Sequence, residues 1–174
     1  HRVGPGPPHA EHRRLAYQAG KSRNPMKAIV LVVMMCLPGL ALATSVMPKP
    51  LEEMVREADH IVVAKIVSVD MVDGRGRPVH DREARTGPGL SNKMRFNLEV
   101  QEVLSDGKEL PSRKLRVPLW SMWHFSLGTM QDDLTGVAGI FLLKGDTYEP
   151  VYPAGFQRPL EEKIEVVRLI GARP

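Results

Sequence analysis

Trp120-Ser-Met-Trp123-His124-Phe125 gathers both tryptophans, and a third of the nine aromatic residues, of a 174-residue chain into six positions. Aromatic anchors dominate binding hot spots and form platforms for sugars and peptides. Two readings follow from composition alone: an exposed platform, or a plug that closes one end of a barrel. A second concentration is one of charge. Arg75, Arg77, Arg82 and Arg85 alternate with Asp73, Asp81 and Glu83, a mixture that could accept an acidic partner or remain a solvated face. The candidate binding residues are therefore Trp120, Trp123, His124, Phe125, Arg75, Arg77 and Arg82.

Signatures of catalysis are missing. The sequence has no P-loop, no HExxH pair and no G-x-S-x-G elbow. Gly74-Arg-Gly76 lacks the third glycine of a dinucleotide fingerprint and runs into Pro78 soon after. His60, His80 and His124 stand 20 and 44 positions apart, so they form no local metal-ligand pattern. A hydrolase would need His124 with an acid such as Asp132 or Asp133, and no nucleophile is marked by its context. No catalytic residue, metal site or cofactor is assigned.

The stretch 26–44 sets the compartment. Lys27 gives a short positive start, Ala28 begins an apolar run to Leu42, and Ala41-Leu42-Ala43 is the small-x-small pattern behind which a signal peptidase cuts. The run is about 15 residues, short of the roughly 20 that a spanning helix needs. Residues 1–25 read as an upstream extension, disordered or untranslated. Residues 26–43 read as a signal peptide, and 44–174 as one mature domain.

Removing the leader inverts the charge argument. Six of the 24 basic residues and one of the 20 acids precede residue 44, which leaves 18 against 19 and a net charge of −1 instead of +4. Nucleic acid is therefore not an expected partner. The sole cysteine, Cys36, lies in the leader. An exported domain without disulfides fits a bacterial periplasm, or secretion, with an envelope protein or a glycan as partner. Membrane contact is expected only through the signal peptide.

The elements that must hold these residues are mostly strands. Leu51, Met54, Val55 and Ala58 predict a short helix ending near Asp59. A strand dense in Val and Ile runs from Ile61 to about Val72, with Val67, Val69 and Met71 on its apolar face beside polar Ser68 and Asp70. Residues 73–92 form a long loop. Met94, Phe96, Leu98 and Val100 alternate with polar residues until the phase slips at Glu102-Val103-Leu104, which predicts a bulge. Ser105-Asp106-Gly107 reads as a turn. Leu115, Val117 and Leu119 alternate in a strand that Pro118 assigns to an edge. After the aromatic segment comes a polar stretch to Gly136, a strand over 137–143 and a hairpin into a strand over 148–152. Pro159 opens a last helix, with Leu160, Ile164 and Val167 as its stripe and Val166, Leu169 and Ile170 widening it.

Residues 51–67 (LEEMVREADHIVVAKIV), 96–104 (FNLEVQEVL) and 137–145 together resemble small exported bacterial proteins with a netrin-like, TIMP-like oligomer-binding (OB) barrel. The resemblance implies an all-β fold: a five- or six-stranded OB-like barrel with short N- and C-terminal flanking helices. Animal relatives of that family inhibit metalloproteases through an N-terminal cysteine. Here the expected N-terminus is Thr44, so no inhibitory residue carries over. The expected role is a non-enzymatic periplasmic binding module, with an exported hydrolase near His124 or a protease-inhibitor-like module as alternatives.

Overall fold

The computed structural model describes residues 46–105 and 110–173. The expected signal peptide, its cleavage point, Cys36 and the Asp106-Gly107 turn lie outside the described residues.

Helix α1 (Leu51–Glu57) starts behind Pro50, with Glu52 and Glu53 in the first turn where the helix dipole favours acids. Lys49 reaches back to Glu57 at 2.5 Å and Glu53 at 3.4 Å. Two 13-residue strands follow, β1 (His60–Val72) and β2 (Lys93–Ser105). After them come β3 (Lys114–Pro118), helix α2 (Leu127–Leu134), β4 (Ala138–Lys144), and the two-residue strands β5 (Glu149–Pro150) and β6 (Gln157–Arg158). A 3-10 turn (Leu160–Glu162) leads into α3 (Lys163–Gly171).

The strands make one antiparallel six-stranded sheet in the order β3-β2-β1-β4-β5, with β6 also paired to β4. It curls into a half-barrel. One core fills the curl: Ile66, Val69 and Met71 of β1 meet Phe96 and Leu98 of β2 and Phe141 of β4. A second core lies on the other face of β1 and β4. There Ile61, Val63, Ile140 and Leu142 pack under Met54 and Val55 of α1 and Val166 and Leu169 of α3. The first half of β1 is therefore buried on both faces, which explains its unbroken Val/Ile run.

Several expectations change. Val67 is not on the inner face. The β1–β2 register shifts between Ile66 and Ser68, so Val67 has no partner and turns outward, 44 % exposed, beside Ser68. A bulge of this kind lets Ile66, Val69 and Met71 all stay inside. The slip foreseen in β2 is present, as shifts opposite Ile61/Val62 and Val63/Ala64.

The stretch 127–134, read as a polar connection, is helix α2. Leu127 is buried, Met130 and Leu134 pack against the first core, and Gln131 Nε2 donates to the Val69 carbonyl at 3.0 Å. The hairpin strand expected over 148–152 shrinks to β5. Tyr148 adopts φ 54°, which a strand excludes, and Pro150 has no N–H to donate.

The last helix packs by the residues expected to widen its stripe and not by the stripe itself. Val166 and Leu169 are buried, whereas Leu160, Val167 and above all Ile164 (85 % exposed) face outward. The 3-10 turn winds three residues per turn before α3 begins, which breaks the angular phase of a stripe counted from Leu160.

Candidate functional site

The first core opens between β3 and the β5–β6 connection. Here the chain leaving β3 carries Trp120, Trp123 and Phe125, and α2 returns with Met130 and Leu134. These side chains, with Phe96, Phe156 and Gln157 behind them, line a cavity of about 210 Å³. Trp120 meets Trp123 at 5.5 Å and 76°, and Trp123 meets Phe125 at 5.7 Å and 88°. Both contacts are edge-to-face, the arrangement that ring quadrupoles favour. Phe156 continues the aromatic series inward, 6.4 Å from Phe96 and 6.3 Å from Phe141.

The three rim rings are half-buried. They are neither a plug sunk in the core nor a flat exposed platform; they form the mouth of a pocket. A neighbouring depression of about 390 Å³ shares Leu119, Trp120 and Pro153 and extends past Pro118 and Pro150 to Lys93 and Glu149.

The long loop holds this mouth in place. Buried Thr86 donates its hydroxyl to the Trp123 carbonyl at 2.7 Å and accepts the Phe125 N–H at 3.3 Å. Its own N–H bonds the Phe125 carbonyl at 3.0 Å. Just before it in the loop, Arg85 bridges Ser126, and the Ala84 and Arg82 carbonyls accept the N–H groups of Leu127 and Gly128. Residues 73–92 are thus fixed along their second half and are not a free solvated face. Neither Thr86 nor its contacts could be read from sequence, because a lone threonine in a charged loop carries no signal.

His124 points out of the mouth. It is exposed, and its ring lies against Gly87, where a Cβ would stand 2.5 Å from Nδ1. Asp132, one of the two acids considered as its partner, is instead paired with Arg82 at 2.7 Å. That carboxylate keeps the Arg82 guanidinium charged even more firmly than usual. His80 is exposed in the loop, and His60 is buried against the Tyr148 ring at 5.1 Å. Among the described residues no group of three or more His, Cys, Asp or Glu could hold a metal.

The arginines expected to act together do not. Arg82 belongs to the α2 side of the mouth. Arg77 closes a separate turn after β1, its guanidinium 2.7 Å from Asp73, and Arg75 donates its backbone N–H to the same carboxylate at 2.8 Å. The backbone N–H of Arg77, then its side chain, hold the Asp73 carboxyl below its ordinary value. The structure therefore joins Trp120, Trp123 and Phe125, sets His124 and Arg82 at their border, and leaves Arg75 and Arg77 outside.

No protein-family model, no curated protein and no solved structure matches this chain.

Proposed function

We propose that the chain is an exported, non-enzymatic binding module with a netrin-like OB barrel, and that its aromatic mouth accepts an apolar side chain of an envelope protein. The observation that carries this reading is the cavity of about 210 Å³ behind Trp120, Trp123 and Phe125. An engineered apolar cavity of about 150 Å³ is known to hold benzene, so this one has room for a Phe-, Leu- or Met-sized group. The edge-to-face ring contacts favour a protein over a glycan. Sugar rings stack on open aromatic faces, whereas here the rings turn on one another and wall a pocket. A hydrolase reading gains less support, because among the described residues no carboxylate bonds His124, and Asp132 is taken by Arg82.

Intrinsic fluorescence tests the reading, since both tryptophans stand in the rim. Titration with N-acetyl-phenylalanine amide should change the emission saturably, and N-acetylglucosamine oligomers should not. Leu134→Phe, which fills part of the cavity, should remove the response while leaving the fold intact by circular dichroism. A saturable response to the sugars alone, or a Phe response that survives Leu134→Phe, would refute the proposal.

A further inference from the structure

The outer face of the half-barrel carries a second surface, built where the bulge at Val67 interrupts β1. A groove of about 520 Å³ crosses β1, β2 and β3 there, lined by Val67, Asn97, Glu99, Lys114 and Arg116 and floored by the Leu98 and Leu115 backbones. Cross-strand pairing sets its rows. Lys65, Glu99 and Lys114 stand side by side, next come Ser68, Asn97 and Arg116, and then Asp70, Arg95 and Pro118.

The middle row orients a cation. Arg95 binds Asp70 at 2.6 Å, and Asp70 in turn accepts a hydrogen bond from Asn97 Nδ2 at 2.8 Å. A further bond from Nδ2 to Ser68 Oγ at 3.0 Å fixes the amide, whose oxygen then accepts Arg116 Nε at 3.2 Å. Among the described residues Arg116 is thereby held by a neutral group, the Asn97 amide. No carboxylate among the described residues pairs with Arg116, Lys114 or Lys65. A pre-oriented, unneutralised guanidinium is suited to a bidentate carboxylate.

We propose that this groove binds an extended acidic peptide segment of a protein partner, with an apolar side chain seated on Val67. Three features select that occupant. Lys114 and Arg116 lie two residues apart on one strand, about 6.8 Å, which is also the repeat of same-side carboxylates on an extended peptide. Glu99 sits between Lys65 and Lys114 and repels a continuous polyanion. The exposed Val67 offers contact that a polyphosphate or sulfated sugar cannot use. Simple strand addition at β3 is disfavoured, because Pro118 lacks an N–H and the Lys114 N–H is already satisfied by Ser112 Oγ at 3.0 Å. The site is independent of the aromatic mouth.

The test uses a synthetic extended peptide with a Glu-Val-Glu core, whose two same-side carboxylates face Lys114 and Arg116 while the valine between them points across β2 toward Val67, with binding followed by calorimetry at two salt concentrations. Binding should weaken with salt. Arg116→Ala should weaken it about tenfold, and Arg116→Lys, which keeps charge but loses the fork, by a smaller factor. Val67→Ser should weaken the valine peptide several-fold and leave its serine analogue unchanged. Trp123→Ala should leave all of this intact, which separates the groove from the mouth. Absence of peptide binding overturns the proposal. So does equal binding of a heparin oligosaccharide, or indifference to Val67→Ser, because either outcome makes the surface a general anion patch.

Discussion

Replacing Thr86 by valine keeps the volume of a buried side chain and removes one hydroxyl that joins the loop to the aromatic rim. Two hydrogen bonds go: the one donated to the Trp123 carbonyl at 2.7 Å and the one accepted from the Phe125 N–H at 3.3 Å. These two backbone groups still reach each other, since the Phe125 N–H also lies 3.2 Å from the Trp123 carbonyl. The orphaning is therefore partial. The loss belongs in the lower part of the range for an unsatisfied buried group, about 1–2 kcal/mol. For a domain of this size that is a drop in Tm of roughly 3–10 °C. Thr86→Ser, which keeps the oxygen and drops a methyl, should cost about 1 kcal/mol or less. Urea melts read the stability, and acrylamide quenching reads the mouth. The valine variant should quench more readily than the wild type, and the serine variant should not. If Thr86→Val is no less stable than Thr86→Ser, with quenching unchanged, the hydroxyl does not hold the rim and the loop has been assigned the wrong task.

The packing of α3 gives opposite expectations for two nearby residues: Ile164→Ser should change stability by about 0.5 kcal/mol or less, while Leu169→Ala should cost about 2–5 kcal/mol in the same denaturant series. Deleting Val67 removes the unpaired residue of the bulge and leaves Ile66, Val69 and Met71 inside in simple alternation with Ser68 and Asp70 outside, so the variant should still give a cooperative melt, and a non-cooperative one would count against this account of the bulge. Asp73, whose carboxyl is held below its ordinary 3.8 by Arg77, contributes stability that is present above that value and lost as pH falls through its lower folded pKa. Asp73→Asn should therefore be less stable than the wild type at neutral pH, with the gap closing in strong acid; a constant gap would count against the linkage. Expression of the full chain in a bacterial host should yield an exported product beginning at Thr44, checked by intact mass, and a product that retains Lys27 would end the export reading.

Period-2 patterning made β1 and β2 legible, because Met94, Phe96, Leu98 and Val100 can face only one way without burying Arg95 or Glu99. It could not choose between Val67 and Ile66, since both are apolar and only pairing with β2 decides which one bulges. Helix α2 escaped because Gly128, Thr129 and two aspartates are poor helix formers. What commits it is the tertiary burial of Leu127 and the Gln131 bond to β1. On α3, apolar residues occur on every side, and the packed face is set by where α1 lies. The aromatic segment was conspicuous by composition, but its being a mouth depended on Phe96 and Phe156, brought in from distant strands. Charge density in 73–92 misgrouped the arginines, because partners as far away as Asp132 decide where each one points.

The second core is closed by the first and last helices of the described domain. The Arg173 guanidinium donates to the carbonyls of Val55 and Ala58, residues 118 and 115 positions earlier. A chain that emerges from its N-terminus must therefore carry the apolar side of α1 uncovered until α3 has appeared. Contacts of such long separation slow the final step of folding. Under the export proposed above, slowness of this kind would be useful: the chain would not lock into its native form before α3 had crossed, and a copy stopped short of α3 would keep Met54 and Val55 exposed to proteases.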